Sequence, residues 1–374
     1  MAHTCSRRAV LKIAGTAALA VPAAALDGRA PGETTQERPR AVAPNICLEA
    51  GPAMGESADE AAAAARRIRQ LGVEHVIGGG GRIPWEEARL AQIMTRLKAN
   101  GLTLANLMIA GFPNAIYNRP DRDADIEKVI ASIRAAGNVG LPVVEYNWYA
   151  HRAMEGYFEE TGRAGAGWTG FDYARMKDLP PLPEEGAHTL DEMWANISYF
   201  LKAVVPAAEK AGVRLALHPN DPPAPTSRGS QQIMGTIDGW KKLIAIVDSP
   251  SDGITFDCGV TREMGGDPVE VCGWFASRDR INHVHFRNVI VQRPYERYTE
   301  VFIDEGQNDM FAVMKALVRH KYARLIYPEH PRAIDYDRDR PEFRSMYPGG
   351  GGYAGFAFNV GYTRAMLQAA YAQC

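Results

Sequence analysis

From residue 44 onward, short apolar runs alternate with amphipathic helical patterns along the chain. The apolar runs have the length and composition of buried strands, and they cover residues 45–49, 73–77, 102–109, 141–147, 213–218, 253–257, 280–287 and 323–329. Ser57 with Glu60, and Thr189 with Glu192, have the spacing of capping boxes at two helix starts. Eight strand–helix units in one chain predict an α/β protein with the (β/α)8 TIM barrel fold.

A doubly wound open sheet is the alternative arrangement for such a pattern, but the chain lacks the glycine fingerprint of dinucleotide-binding sheets. One segment, residues 148–188, is rich in Gly, Tyr, Trp and Pro and has no clear periodicity. Loops of that length in a compact domain are usually functional. We therefore predict a single barrel domain over residues 44–374, with residues 148–188 as a long loop between the fourth strand and its helix.

The N-terminus has a different pattern from the rest of the chain. Arg7 and Arg8 precede an apolar run over residues 13–26, which resembles a twin-arginine export signal. We predict a signal peptide at residues 1–26, a linker at residues 27–43 and a periplasmic or secreted protein. The run is short and rich in Ala and Gly for a membrane span, so we expect no stable membrane insertion after cleavage. An uncleaved membrane anchor is the alternative.

Composition and charge exclude some classes of partner. The 374 residues are 46% hydrophobic and 23% charged, with a net charge of −2, and no basic patch points to nucleic acid. The five cysteines show neither a CxxC pair nor the spacing of a disulfide framework. We therefore expect a globular protein whose partner is a small molecule. A homo-oligomer is compatible with this composition.

Four of the apolar runs end in side chains that can bind a metal. His285 ends the run that begins at Ile281, and the corresponding residues of three other runs are His218, Asp257 and Glu329. In a TIM barrel such positions lie at the C-terminal ends of the strands, where active sites are built. A single histidine at a strand end is more often an ordinary polar residue than a ligand. Four such residues on successive strands predict one site.

Two imidazoles and two carboxylates form a nitrogen and oxygen set that suits Mn²⁺, Fe²⁺, Co²⁺, Zn²⁺ or Mg²⁺. Successive strand residues face opposite sides, so only one of Asp257 and Cys258 can be a ligand. Asp257 shares its face with Thr255, whereas Cys258 continues an apolar face. This favours Asp257, with Cys258 as the alternative. The same alternation separates Glu329 from His330, so that one can bind the metal while the other reaches the substrate.

Several motifs resemble those of the mannonate dehydratase family, a group of lyases with xylose-isomerase-like barrels. They are HPNDPP at residues 218–223, GITF at 253–256 and HFRN at 285–288. The resemblance implies a xylose-isomerase-like TIM barrel that holds Mn²⁺, with Fe²⁺, Mg²⁺ and Co²⁺ as alternative ions. The family binds its metal with His, Cys, His and Asp, and Asp257 and Glu329 stand at its Cys and Asp positions. This departure favours hard cations over thiophilic ones.

The resemblance also implies roles for further residues. His330 and Tyr353 would be the acid–base pair, although a tyrosine after a glycine run can also simply cover a barrel mouth. Arg287 would face the substrate carboxylate, which its planar fork matches; ion pairs with Glu300 or Asp304 are the alternative. The complete set of substrate-binding side chains would be Arg287, Asn288, Asn147 and Asn220.

The implied reaction is the metal-assisted dehydration of a sugar acid, D-mannonate to 2-keto-3-deoxy-D-gluconate, through an enediolate. A sugar isomerase, an epimerase or a 3-keto-glycoside eliminase would share that intermediate and the same metal site. Export favours these alternatives, because mannonate is normally an intracellular intermediate. A carbohydrate-binding protein on an inactive barrel is a further alternative. The predicted ligand in every case is a sugar acid or a sugar.

Overall fold

The protein was analysed as a computed structural model that describes residues 44–149 and 155–373. The predicted signal peptide at residues 1–26 and the linker at residues 27–43 lie outside the described residues. Both therefore stay predictions.

Eight parallel strands close into a barrel, in the order β1-β2-β3-β4-β7-β10-β11-β14 and back to β1. In chain order these barrel strands are β1 (Asn45–Glu49), β2 (His75–Gly79), β3 (Thr103–Ile109), β4 (Val143–Tyr146), β7 (Arg214–Leu217), β10 (Asp252–Asp257), β11 (Ile281–His285) and β14 (Leu325–Tyr327). The remaining strands are β5 (Tyr157–Thr161), β6 (Gly167–Asp172), β8 (Thr226–Ser227), β9 (Ser230–Gln231), β12 (Val289–Arg293) and β13 (Arg297–Glu300). The closed parallel sheet confirms the predicted (β/α)8 barrel.

Helices connect the strands around the outside of the barrel. They are α1 (Ala58–Gln70), α2 (Glu87–Ala99), α3 (Pro113–Ile116), α4 (Arg122–Asn138), α5 (Leu190–Ala211), α6 (Ile237–Ile244), α7 (Cys258–Glu263), α8 (Pro268–Ala276), α9 (Met310–Arg319), α10 (Asp335–Arg338) and α11 (Tyr353–Gln373). Short 3-10 turns cover Gly51–Met54, Arg163–Gly165, Tyr173–Arg175 and Pro341–Phe343. None of the described helices combines the length and the apolar character that crossing a bilayer requires.

Side chains at the helix ends explain where several helices begin. Thr189 and Glu192 form the predicted capping box at the start of α5, and Gly212 ends that helix in the left-handed conformation. At the start of α1, the Ser57 side chain accepts a hydrogen bond from the Glu60 amide. These contacts satisfy backbone amides and carbonyls that a helix leaves unpaired at its ends.

The segment predicted as an irregular loop contains two strands. Strands β5 and β6 pair with β12 and β13 in a four-stranded antiparallel sheet of order β12-β13-β6-β5. The expectation of a loop without regular structure is therefore wrong for residues 157–172. Strand β6 pairs on one side with the preceding strand β5 and on the other with β13, which lies more than a hundred residues later in the chain. Local periodicity carries no signal of the contact with β13.

One carboxyl group in the barrel wall is buried without a partner among the described residues. Asp252, at the start of β10, is fully buried, and neither of its side-chain oxygens has a hydrogen-bond partner within residues 44–149 and 155–373. Burial raises the pKa of Asp252 to about 8, although the Arg280 charge opposes the shift. The folded protein therefore holds this carboxyl in its neutral form near pH 7.

Replacing Asp252 by Asn should change how stability depends on pH. The unfolded chain releases the Asp252 proton near pH 4, whereas the folded protein holds it up to about pH 8. The unfolded state binds fewer protons in this window, so the free energy of unfolding falls as pH rises. Asp252→Asn has no such proton to lose, so its free energy of unfolding does not fall in this way. The difference in free energy of unfolding, variant minus wild type, should therefore rise by on the order of 1 kcal/mol per pH unit between about pH 5 and 8.

Urea unfolding of both proteins across this pH range measures the difference. Asp238→Asn, at an exposed aspartate paired with Lys241, controls for the same chemical change on the surface. A difference between Asp252→Asn and the wild type that stayed constant with pH would contradict a neutral Asp252 in the folded state.

Candidate metal centre

The four predicted ligands lie together at the C-terminal mouth of the barrel. Asp257 and His285 are the last residues of β10 and β11, while His218 and Glu329 follow the ends of β7 and β14. His285 Nδ1 lies 3.3 Å from His218 Nε2 and 2.9 Å from Glu329 Oε2. The distance from His285 Nδ1 to Asp257 Oδ2 is 3.9 Å. The barrel thus brings together side chains that are up to 111 positions apart (329 − 218).

The spacing of three of these residues suits one divalent cation, and the fourth lies beside them. Ligand atoms bound at about 2.1 Å to a single ion lie roughly 3 to 3.5 Å from their neighbours. Asp257, His285 and Glu329 form one set of ligand atoms that all lie within 4.8 Å of one another, and His218 belongs to a second such set with Glu145 and His285. The two sets share His285. The roles of the four residues as ligands stay a prediction, which this geometry supports.

The positions of Asp257 and Cys258 bear on which of the two residues can be a metal ligand. Asp257 ends its strand facing His285, whereas Cys258 is the first residue of α7 and is completely buried in the apolar core. Burial raises the pKa of the Cys258 thiol well above its usual value, which disfavours the thiolate that metal binding needs. The geometry therefore favours Asp257.

Glu145 is a candidate functional residue that the sequence reasoning missed. It lies in β4 and accepts hydrogen bonds of 2.7 Å from both Asn106 Nδ2 and Thr255 Oγ1. Its carboxylate is 2.9 Å from His283 Nδ1 and 3.6 Å from His285 Nε2. Burial alone would raise the pKa of Glu145, but the neighbouring imidazoles lower it far below its usual range. The sequence signal for Glu145 was its place near the end of the apolar run at residues 141–147. From that strand end we predicted only Asn147 as a functional residue.

Glu49 is a second residue that the prediction missed. It is the last residue of β1 and lines the cavity at the barrel mouth. Burial in the concave site and the charge of Glu329 raise the pKa of Glu49. The sequence signal was again a carboxylate at the end of a predicted strand, at residues 45–49.

Arg287 is surrounded by carboxylates and does not face the cavity. It is 2% exposed, and its guanidinium nitrogens lie within 3.5 Å of five carboxylates, those of Asp221, Asp257, Glu263, Glu300 and Glu329. This arrangement does not favour the predicted contact of Arg287 with a substrate carboxylate, which stays a prediction. The alternative ion pair with Glu300 is present at 3.5 Å, whereas Asp304 pairs with Arg163.

This arginine holds two of the predicted ligands in position. Arg287 Nε lies 3.1 Å from Asp257 Oδ2 and 3.1 Å from Glu329 Oε1. Burial raises the pKa of Asp257 to about 6, against the opposing charge of Arg287. Burial would also raise the pKa of Glu329, but the charges of His285, His330 and Arg287 lower it well below its usual value. Such outer contacts orient carboxylates for metal binding.

His330 lies at the cavity wall beside the ligand group, as the acid–base role requires. Its Nδ1 is 3.0 Å from Glu300 Oε2, and its Nε2 is 3.5 Å from Glu329 Oε2. The Tyr347 ring lies against the imidazole, with 5.1 Å between ring centroids. Burial opposes protonation, but the charges of Glu300 and Glu329 outweigh it and raise the pKa of His330 to about 9.

Tyr353 lines the same cavity, but its hydroxyl is directed elsewhere. It donates a hydrogen bond to the Arg67 carbonyl at 3.3 Å, at the C-terminal turn of α1, and its ring stacks on Phe343. The predicted acid–base role does not agree with this position. The alternative, a tyrosine that covers the barrel mouth, does.

The three predicted asparagines have different surroundings. Asn147 lines the cavity, and its Oδ1 is buried without a hydrogen-bond partner, so substrate binding stays a prediction there. Asn220 and Asn288 are buried and hold loops together, which does not favour their predicted role in substrate binding. Asn220 Oδ1 accepts a hydrogen bond from the Met234 amide at 2.8 Å, and Asn288 Oδ1 accepts one from the Asn308 amide at 3.0 Å.

A cavity of about 980 Å³ opens at the barrel mouth above these groups. One wall carries the polar residues, including His218, Glu329 and His330, and the other is apolar, with Ile68 and Phe112 among its residues. Sites for small molecules commonly combine an apolar wall with a few convergent polar groups.

Comparison with known proteins identifies the family. The family model for D-mannonate dehydratase (UxuA) matches residues 170–373, which is more than half of the chain and includes all four predicted ligands. The chain belongs to the D-mannonate dehydratase family. Members of this family are hydro-lyases, and the motifs at residues 218–223, 253–256 and 285–288 all lie within the matched segment.

Individual relatives agree with this membership. A mannonate dehydratase of Streptococcus suis (strain 05ZYH33) is 30% identical over 254 residues, which cover 61% of this chain and 69% of the relative. One from Thermotoga maritima is 29% identical over 321 residues, covering 74% of this chain and 88% of the relative.

Solved structures confirm the xylose-isomerase-like barrel. The crystal structure of mannonate dehydratase from Streptococcus suis serotype 2 has a TM-score of 0.75 at 24% identity and covers 88% of this chain and 93% of that one. A xylose isomerase-like TIM barrel protein from Mycobacterium smegmatis, in complex with magnesium, has a TM-score of 0.57 at 13% identity, covering 87% and 97%. These likenesses concern the fold.

Replacing Asp257 by Asn should weaken Mn²⁺ binding by roughly tenfold or more, because a neutral amide replaces a carboxylate ligand. Asn keeps an oxygen that can accept the hydrogen bond from the Val260 amide, so the start of α7 should be preserved. Calorimetric titration of the chelator-treated protein with Mn²⁺ measures the affinity. Asp267→Asn, which changes the same kind of helix-capping aspartate away from the ligand group, is the matched control. Equal Mn²⁺ affinity in Asp257→Asn and the wild type would remove Asp257 from the ligand set.

Replacing Arg287 by Met should destabilise the protein, because five carboxylates lose their shared cation. Breaking a buried ion pair by removing one partner costs about 3 to 5 kcal/mol, and we expect a loss of at least that size. Thermal and urea unfolding measure it. Arg338→Met, which breaks a surface pair with Glu159, should cost less than about 1 kcal/mol. Similar losses for both variants would show that Arg287 has no special stabilising role.

Proposed function

We propose that this protein dehydrates D-mannonate to 2-keto-3-deoxy-D-gluconate with the help of a divalent cation. The observation that carries the proposal is the group of His218, Asp257, His285 and Glu329, whose ligand atoms come within 2.9–3.9 Å of His285 at the barrel mouth. This group lies within the segment that matches the D-mannonate dehydratase family. Membership of that family favours dehydration over the isomerase, epimerase and eliminase alternatives.

We assign Mn²⁺ as the cation, with Mg²⁺, Fe²⁺ and Co²⁺ as alternatives. The proposed set offers imidazole nitrogens and carboxylate oxygens and has no thiolate, a combination that suits harder cations. A structural neighbour from Mycobacterium smegmatis is described in complex with magnesium. When bound, the cation would polarise the substrate carboxylate and stabilise the negative charge that develops as the C2 proton leaves.

Protein side chains would orient the substrate and move its protons. Glu300 holds His330 Nδ1 at 3.0 Å and so leaves the other ring nitrogen on the side of Glu329 and the cavity. We assign His330 to protonate the departing C3 hydroxyl, which leaves as water. Asn147, whose buried Oδ1 has no hydrogen-bond partner, would accept a hydrogen bond from a substrate hydroxyl.

We also propose that the protein is exported, on the basis of the twin-arginine motif at Arg7 and Arg8. Twin-arginine export carries folded proteins, so a cation loaded in the cytoplasm would accompany the chain. A periplasmic or secreted location and a homo-oligomeric state stay predictions.

The substrate assignment can be tested with full-length protein that has been stripped of metal and reloaded with Mn²⁺. We expect D-mannonate to yield 2-keto-3-deoxy-D-gluconate with the loss of one water per turnover, and the stripped protein to be inactive. Product identification by mass spectrometry and chromatography, in normal and deuterated water, distinguishes dehydration from isomerisation. An isomeric sugar acid or sugar that carries solvent deuterium without loss of water would assign the isomerase or epimerase alternative instead.

A further inference from the structure

The reaction proposed above needs a group that removes the C2 proton, and the cavity offers a small set of candidates. The carboxylates among the described lining residues are Glu49, Glu145, Asp221, Glu329 and Glu342. A general base needs an atom that can reach the substrate proton, so a carboxylate with both oxygens occupied by other protein groups is less suited to this role. We therefore compare the five carboxylates by the protein groups that each one contacts.

Three of these carboxylates are committed to other contacts. Glu145 is bound by Asn106, Thr255 and His283. Asp221 is paired with Arg287 at 3.0 Å and accepts a hydrogen bond from the Tyr157 hydroxyl.

Glu329 is the third, because it is in the proposed ligand set and also contacts Arg287 and His285. Glu342 is uncommitted, but it is exposed and belongs to the 3-10 turn Pro341–Phe343 at the cavity rim. Within residues 44–149 and 155–373, Glu49 has no hydrogen-bond or ion-pair partner and is solvent-accessible in the cavity.

The strand register places Glu49 beside the proposed centre. Strand β1 pairs in parallel with β14, with Asn45 opposite Leu325 and Ile46 opposite Ile326. Continuing this register by three residues brings Glu49 level with Glu329, which lies two residues beyond the end of β14. Adjacent strands are about 4.8 Å apart, so the backbone of Glu49 lies close to that of a proposed ligand and of the following His330.

The alternation along β1 directs Glu49 into the barrel. Cys47 faces the interior, because its Sγ lies 3.8 Å from His283 Nε2 in the centre of the barrel. Glu49 is two residues further along the strand and therefore shares that inner face. The carboxylate thus stands at the inner rim of the mouth, on the side of Glu329 and His330.

We propose that Glu49 is the catalytic base of the dehydration and that it acts opposite His330; this assignment rests on the proposed function. The Glu49 carboxylate takes the proton from C2, and the electron pair of the C2–H bond moves towards the substrate carboxylate to give an enediolate. That electron pair then forms the C2–C3 double bond while the C3–O bond breaks and His330 gives its proton to the hydroxyl, which leaves as water. The enol becomes the 2-keto-3-deoxy acid by gaining a proton at C3 and losing the proton of its C2 hydroxyl. Proton exchange with solvent returns Glu49 and His330 to their starting forms.

The test compares Glu49→Gln with Glu342→Gln, the same chemical change at the two uncommitted carboxylates of the cavity. Removal of a general base lowers kcat by about 10² to 10⁴-fold. We expect a kcat loss in that range for Glu49→Gln, with KM changed by less than about threefold, and near wild-type kinetics for Glu342→Gln. Exchange of the substrate C2 hydrogen with deuterated solvent, followed by NMR, should disappear in Glu49→Gln. Glu49→Asp, which keeps the charge on a shorter side chain, should recover part of the exchange.

Several outcomes would overturn the assignment. Glu49→Gln with wild-type kcat and wild-type C2 exchange would exclude Glu49 as the base. Weakened Mn²⁺ binding in Glu49→Gln, measured by calorimetry, would make it a ligand instead. Loss of C2 exchange in Tyr353→Phe together with normal exchange in Glu49→Gln would give the role to Tyr353. If the wild-type protein forms no keto acid from D-mannonate, the proposed function is wrong, and the assignment of Glu49 as its base is then wrong as well.

Discussion

The burial of one guanidinium among five carboxylates is the interaction on which the site depends. Arg287 is buried and contacts five acidic side chains from four parts of the chain, since Asp257 and Glu263 lie at the two ends of α7. Without that cation, the carboxylates would repel one another in an environment where charges are poorly screened. The same contacts fix the orientation of Asp257 and Glu329. Arg287 therefore both balances the charge of these carboxylates and orients two of the proposed ligands.

The four-stranded sheet outside the barrel takes part in this network. Glu300, at the end of β13, contacts Arg287 as well as His330 and Arg332. Tyr157 on β5 donates to Asp221, which also binds Arg287. The sheet thus does more than cover the core, because it supplies acidic and phenolic groups to the barrel mouth.

Local patterns in the sequence were sufficient for the barrel and for the position of the site. Apolar runs alternated with helical patterns, and a closed parallel sheet is the arrangement that buries eight such strands. Ligand-type residues at the ends of four strands meet at one edge, since all strands of a parallel barrel point the same way. The contacts of Arg287, Asn220 and Asn288 could not be predicted, because periodicity does not show which loop folds back onto a given residue. Strand β6 was missed because its partner β13 lies more than a hundred residues later, and β5 pairs with β6.

The sequence by itself therefore determined the fold class, the side of the barrel that carries chemistry, and the types of side chain gathered there. Only the tertiary structure decided which of those side chains are free and which are held by others. Glu49 and Asp221 are both carboxylates near predicted strand ends, yet one has no partner among the described residues and the other is paired with Arg287. Residue type and spacing set what a group is able to do. Its availability depends on neighbours in space, which short-range periodicity does not encode.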